Sequence, residues 1–281
     1  MKVYISVDME GVAGVATMDQ IVRGGHGYPR AQELMTAETN AAIAGAFDGG
    51  ADTVLVNDSH GTMDNLIHAD LDPRARLLFG TPKLNCMAEG LAAEHDLALF
   101  VGYHAPGGGP GVLAHTFSGY FREVRLNGMR VSEAEVNALQ AGALGVPVGL
   151  VTGDDVITEL AASTFPGVTT VQTKRAHGFS AADSVAPSVA ADAIRDGAAR
   201  AVRTADSVRP MAIPEHLRLA IDMPTITAAE LAEAIPGVQR TSAHTIERDL
   251  ADPGEVVGLI VVAYQLANAG LRASLGPLNR Q

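Results

Sequence analysis

Residues 2–11 read KVYISVDMEG. Five residues from Val3 to Val7 are apolar apart from Ser6, and then the chain turns abruptly to Asp8 and Glu10. An unbroken apolar run of strand length marks a strand covered on both faces, the kind found in parallel sheets. Val3–Asp8 therefore reads as a buried strand. Two more runs share its form: Thr53–Asp58 (TVLVND) and Ala98–His104 (ALFVGYH). Between the first two, Arg30–Asp48 has helical spacing and stops at Gly49-Gly50, a C-terminal helix signal. Strands alternating with helices predict an α/β fold, a three-layer αβα sheet domain.

Further along, Phe121–Leu126 and Met129–Val131 flank Asn127-Gly128, a two-residue hairpin signal. Ser132 with Glu135 three residues on forms a capping box, which opens a helix over Glu133–Leu144 closed by Gly145. Val148–Thr152 and Thr169–Lys174 read as strands, with Asp154–Ser163 helical between them. Ser184–Arg203 is an Ala-rich helix whose Pro187 falls in the first turn, where no amide partner is lost. Val208–Pro214 carries two prolines and no periodicity, and reads as a linker. The expected division is 1–207, a metal-binding catalytic domain, and 208–281, a smaller α+β domain used in oligomer contacts. The latter holds strands at Leu217–Met223 and near Arg240–Arg248, with helices at Ala228–Ala234 and Pro253–Arg272.

The whole chain has 281 residues, 47% of them apolar and 19% charged, which excludes a disordered polymer. With 20 basic and 32 acidic residues its formal charge is −12, which argues against nucleic acid or an anionic membrane as partner. Asp8 and Glu10 interrupt the first apolar run, so no signal peptide is read, and no uninterrupted run reaches membrane-span length. The expectation is a cytoplasmic protein. The single cysteine, Cys86, excludes an intrachain disulfide and a Cys-rich zinc site. Any transition metal here must sit on His and carboxylates.

Ligands of α/β proteins bind beyond the carboxyl ends of the strands. The first strand ends in Asp8-Met9-Glu10, and alternate residues of a strand face one way. The second ends in Asn57-Asp58-Ser59-His60 and the third in Gly102-Tyr103-His104, while Glu133 opens the capping-box helix. Each motif alone also fits turn or cap chemistry. Together, Asp8, Glu10, His60, His104 and Glu133 make a mixed nitrogen and oxygen donor set suited to zinc. Five protein donors exceed what one catalytic zinc usually takes and point to two metals sharing a carboxylate. His115, in Ala114-His115-Thr116 beyond the Gly-rich loop Gly107–Gly111, reads either as a surface residue or as one that reaches back over the site. Glu33, Glu38 and Asp58 are candidates for an acidic rim attracting a cationic group.

SVDMEG, VNDSHG (Val56–Gly61), VGYHA (Val101–Ala105), PGVLAHT (Pro110–Thr116) and the Glu133–Asn137–Ala138 stretch resemble, in order and spacing, the zinc-dependent D-aminopeptidases of peptidase family M55, the DppA type. The resemblance covers nearly the whole chain, continues through Gly153-Asp154-Asp155, and is weakest in the last 70 or so residues. It implies two zinc ions per subunit, with Asp8 bridging, Glu10 and His60 completing one ion, and His104 and Glu133 the other. It implies His115 as the catalytic residue, short peptides with an N-terminal D-residue such as D-Ala-D-Ala as substrates, and a homo-oligomer, a decameric ring around a chamber. The competing readings are another binuclear metallohydrolase on this scaffold, an amidase or phosphoesterase, and a non-catalytic peptide-binding accessory of a transport system. A phosphoesterase would want basic groups near the metals, for which Arg30 and Arg122 are the candidates.

Overall fold

A computed structural model describes residues 1–275. In chain order it contains β1 (Lys2–Val7), α1 (Met18–Ile21), α2 (Tyr28–Gly49), β2 (Thr53–Asp58), β3 (Arg76–Leu78) and β4 (Leu97–Tyr103). There follow β5 (Glu123–Leu126), β6 (Met129–Arg130), α3 (Glu133–Ala143), β7 (Val148–Asp154), α4 (Asp155–Thr164), β8 (Thr169–Gly178), β9 (Ala181–Ser184) and α5 (Pro187–Arg203). The chain closes with β10 (Leu217–Asp222), α6 (Ile226–Ala232), β11 (Gln239–Arg240), β12 (Thr245–Leu250) and α7 (Gly254–Leu275). Packing divides it into two units. The first comprises Met1–Ala105, Pro110–Leu113 and Asn137–Ala212; the second comprises Pro106–Gly109, Ala114–Val136 and the chain from Ile213 onward.

The first unit is built on a seven-stranded sheet in the order β3-β2-β1-β4-β7-β8-β9. All neighbours run parallel except β8 and β9, which form an antiparallel hairpin. The mixed α/β class expected from the strand–helix alternation is the one observed. Every residue of β4 and β7 is buried, which explains their unbroken apolar character. Helices α2 and α5 pack on each other and on the sheet, burying Leu34, Met35 and Ile43 of α2 and Ile194 and Val202 of α5. Burying each such aliphatic side chain contributes about 1.5–3 kcal/mol. Gly50 ends α2 in the left-handed region (φ 108°), the stop signal read in Gly49-Gly50. From β1 the chain proceeds to β2 and β3 on one side, then returns to β4 on the other. The strand order therefore reverses between β1 and β4, and a crevice opens at such a reversal, beyond the carboxyl ends of the strands.

The second unit holds an antiparallel sheet in the order β11-β12-β10-β5-β6. Asn127 and Gly128 both have positive φ (51° and 80°), as a hairpin of right-handed twist demands. Ser132 and Glu135 exchange the capping-box hydrogen bonds at 2.7 and 3.2 Å. Here the structure differs from a division at residue 208. The β5–β6 hairpin belongs with the C-terminal strands, because Glu123–Leu126 pairs with Leu219–Asp222 of β10. Pairing across more than 90 residues leaves no local signature. The strand read at Thr169–Lys174 also continues to Gly178 and folds back as β9. Helix α7 is, among the described residues, the one helix long and apolar enough to cross a membrane, over Gly254–Ser274 with mean hydropathy 1.5. Its Val256, Val257, Ile260, Ala263 and Ala267 are buried at helical spacing, the pattern of a core helix.

Candidate metal centre

The carboxyl ends of β1, β2 and β4 bring four predicted residues of the first unit together. Asp8, Glu10, His60 and His104 are all buried. His60 Nδ1 lies 3.1 Å from Asp8 Oδ1 and 2.9 Å from Glu10 Oε2. His104 Nε2 lies 3.4 Å from Asp8 Oδ2. Donor atoms of Asp8, Glu10 and His104 all fall within 4.8 Å of one another. Each imidazole is oriented through its outer nitrogen: His60 Nε2 donates to the Ile21 carbonyl (2.7 Å) and His104 Nδ1 to the Ala105 carbonyl (2.9 Å). In the neutral imidazoles this leaves His60 Nδ1 and His104 Nε2 as the lone-pair nitrogens on the carboxylate side, the arrangement second-shell carbonyls impose on metal-ligating histidines; without a metal, a proton on His60 Nδ1 is shared with the carboxylates. Burial alone would lower the His60 pKa, but the Glu10 and Asp8 carboxylates outweigh it and hold the pKa well above its ordinary value. Buried carboxylates facing imidazoles fit a divalent cation, which would compensate two negative charges that burial otherwise disfavours.

Local sequence explains the placement. Asp58 accepts from the Asn65 and Leu66 amides (2.5 and 2.7 Å) and from Asn65 Nδ2 (2.8 Å), clamping the turn that carries His60. The turn reading of the Asn57–His60 segment thus describes Asp58, while His60 is turned to the Asp8 and Glu10 carboxylates. Glycine is required where β1 and β4 meet. Gly102 has φ +71°, and a Cβ there would lie 2.2 Å from the Asp8 carbonyl oxygen. One on Gly11 would lie 2.0 Å from the Tyr103 carbonyl oxygen. The glycines of the VDMEG and VGYH motifs therefore permit Asp8 and His104 to sit side by side.

His115 and Glu133 come together in the second unit, with His115 Nε2 3.6 Å from Glu133 Oε1. The same Glu133 oxygen accepts the Phe117 amide at 2.6 Å. Leu113 and Phe117, two residues to either side of His115, have left-handed backbones (φ 53° and 58°). Such a conformation costs a non-glycine residue about 1–3 kcal/mol and persists only where its surroundings hold it. Thr116 supplies part of that hold, donating to the Val131 carbonyl (3.0 Å) and accepting the Gly107 amide (3.1 Å). His115 is thus a half-buried residue held between fixed neighbours, where the sequence alone leaves a surface position open.

Two of the three candidates for an acidic rim are corrected. Asp58 is the buried clamp of the His60 turn, and Glu38 is buried in α2, where Oε1 accepts the Ala13 amide at 2.8 Å. Burial pushes the Glu38 carboxyl up to about 7, against the lowering influence of that amide and of Lys174. Glu33 is exposed and paired with Arg30, so Arg30 is engaged on the outer face of α2. Because the folded state keeps a proton on Glu38 that the unfolded chain releases near 4.5, stability falls as pH rises from 4.5 through 7. Glu38→Gln is expected to flatten that slope, by up to about 3 kcal/mol between pH 4.5 and 7 in denaturant titrations. An unchanged slope would show that Glu38 is ionised throughout.

None of the sequence motifs singles out Lys174. It is 1% exposed, and burial lowers its pKa to about 8 despite Glu38, Asp154, Glu10 and Asp8 nearby. Its one sequence signal is a lysine at the end of the short strand read at Thr169–Lys174, in a chain with three lysines.

A mixed carboxylate–imidazole cluster at the reversal point of a parallel sheet is the donor set of an α/β metalloenzyme. The chain belongs to peptidase family M55, the D-aminopeptidases, whose family model matches residues 1–262. It is 37% identical over 268 residues to a D-aminopeptidase of Bacillus subtilis (strain 168), covering 95% of this chain and 98% of that protein. It also matches the solved structure of the Zn-dependent D-aminopeptidase DppA from Bacillus subtilis, a self-compartmentalizing protease. That match has a TM-score of 0.92 and 36% identity, and covers 95% of this chain and 98% of the other.

Proposed function

We propose that this protein is a zinc-dependent aminopeptidase that hydrolyses short peptides with an N-terminal D-residue, of the D-Ala-D-Ala type. The observation that carries the reading is the buried Asp8–Glu10–His60–His104 cluster in a chain of the D-aminopeptidase family. Two zinc ions per subunit are assigned. Asp8 would be shared, Glu10 and His60 would hold one ion, and His104 and Glu133 would hold the other. Asp8 suits the shared role because its two oxygens face the two imidazoles separately. When bound, zinc supplies Lewis-acid polarisation of the scissile carbonyl and acidifies water.

The chain's own residues do the rest. The Ile21 and Ala105 carbonyls fix the tautomers of His60 and His104. His115 handles the proton: its imidazole can give one to the leaving amine, and in its charged form can stabilise negative charge on the former carbonyl oxygen. Acid–base work is favoured over covalent attack, because zinc, when bound, would supply a nucleophile and leave a protein nucleophile unnecessary. His115→Ala is expected to lower kcat for D-Ala-D-Ala by about 10²–10⁴ with zinc content unchanged. Loss of zinc from that variant would make His115 a ligand and overturn its role. The chain is further proposed to form a closed homo-oligomer, a decameric ring, by analogy with the self-compartmentalizing relative. Light scattering at a mass of one or two subunits would contradict this.

A further inference from the structure

Adjacent residues of a strand normally point to opposite faces of the sheet. Thr173 and Lys174 of β8 do not behave this way, since both reach the loop that leaves β1. Thr173 Oγ1 donates to the Gly11 carbonyl at 2.6 Å and to the Gly153 carbonyl at 3.0 Å. Lys174 Nζ donates to the carbonyls of Glu10, Val12 (2.8 Å) and Val15 (2.5 Å). The cause is a break in register. Gly153 pairs with Gln172 but the next residue, Asp154, pairs with Lys174, so Thr173 is the extra residue of a β-bulge. Bulges re-aim side chains and recur beside active sites.

The contacts also define the charge on Lys174. A neutral amine has two N–H donors, whereas three carbonyls converge here, and three donors require the ammonium. Each bond is therefore charge-assisted and stronger than a neutral one. The ammonium is buried and spends its donors on backbone, without any direct carboxylate contact in this set. It gathers the carbonyls of Glu10–Val15 much as a bound monovalent cation would, while Glu38 holds the Ala13 amide of the same loop. One of the three carbonyls belongs to Glu10, whose side chain faces His60 in the metal centre.

We infer that Lys174, re-aimed by the bulge at Thr173, is a positioning residue for the metal centre. It fixes the Glu10 backbone so that the Glu10 carboxylate is set before the metal arrives. This inference rests on the zinc-centre reading of the proposed function. No chemical step is assigned to Lys174 itself.

The test is zinc affinity, measured by competition with a chromophoric chelator on the metal-stripped full-length protein. Lys174→Met keeps the length of the side chain and removes the charge. It is expected to weaken zinc binding by about 10–100-fold, the usual effect of losing an outer-shell partner. Activity should fall at limiting zinc and recover substantially at saturating zinc. A folded Lys174→Met protein that is less heat-stable but binds zinc as wild type does would overturn the inference, leaving Lys174 a structural residue. If Lys174→Met does not fold, Thr173→Val is read in its place, since it deletes one contact to the same loop. Weakened affinity then supports the inference and unchanged affinity overturns it. Failure of the zinc-centre reading is distinguishable, because it is seen in the wild-type protein, which would then take up no zinc at all.

Discussion

Asp8→Asn is expected to lower kcat/KM for D-Ala-D-Ala by about 10³-fold or more, equivalent to about 4 kcal/mol of transition-state stabilisation. Bound zinc should drop to one ion or fewer per chain. The reasoning is geometric. The two Asp8 oxygens lie 3.1 Å from His60 Nδ1 and 3.4 Å from His104 Nε2, whereas the Glu10 oxygen lies beside His60 at 2.9 Å. Asparagine preserves the shape but removes the charge and aims an N–H donor where a lone pair is needed. The same substitution should destabilise the metal-free protein only modestly, because His60 loses one of its two carboxylate partners and keeps Glu10. Denaturation of the metal-free proteins should therefore change far less than activity of the zinc-loaded ones. A variant that keeps both zinc and activity would remove Asp8 from the centre.

Gly102→Ala is the second large effect, and acts through backbone. The new methyl would need to occupy space 2.2 Å from the Asp8 carbonyl oxygen and 3.0 Å from Val12 Cγ2, at a φ of +71°. Left-handed strain and overpacking together are expected to cost about 3–5 kcal/mol, a fall in Tm on the order of 10 °C. The displacement falls on the strands that carry Asp8 and His104, whose backbones are linked through the Asp8 amide on the Val101 carbonyl (2.8 Å). Zinc affinity should therefore fall with stability. Gly128→Ala is the control: its φ is also positive, at +80°, but nothing lies within 4 Å. It should cost about 1–2 kcal/mol and leave zinc binding as it was. Equal losses at the two positions would mean that the contact with Asp8 is unimportant.

Much of the candidate metal centre is legible in the amino-acid sequence because it is local. The apolar runs of β1, β2 and β4 mark buried parallel strands, and a polar residue following such a run lies at a strand end, where α/β proteins place their ligands. Asp8, Glu10, His60 and His104 follow from that rule, and they converge in the first unit. The capping box at Ser132 and the turn at Asn127-Gly128 are local hydrogen-bond and backbone chemistry, and they too are legible. The illegible features depend on register and distant pairing. The bulge at Thr173 is one inserted residue in a ladder, invisible in the string TTVQTK, yet it decides where Lys174 points. Glu38 and Asp58 have the composition of an acidic rim, and burial, which only the packed fold defines, gives them other work. The membership of β5 and β6 in the C-terminal sheet likewise rests on pairing with β10.

Zinc dependence and D-selectivity can be read together, by measuring zinc content and peptide hydrolysis on one sample of metal-replete protein with D-Ala-D-Ala and L-Ala-L-Ala as paired substrates. The expected result is about two zinc ions per chain, with hydrolysis of the D-dipeptide, a strong preference over the L-dipeptide, and loss of activity when a chelator removes the metal. A protein that binds no zinc after metal-replete purification, or that cleaves the L-dipeptide as readily as the D-dipeptide, would not be the zinc-dependent D-aminopeptidase proposed.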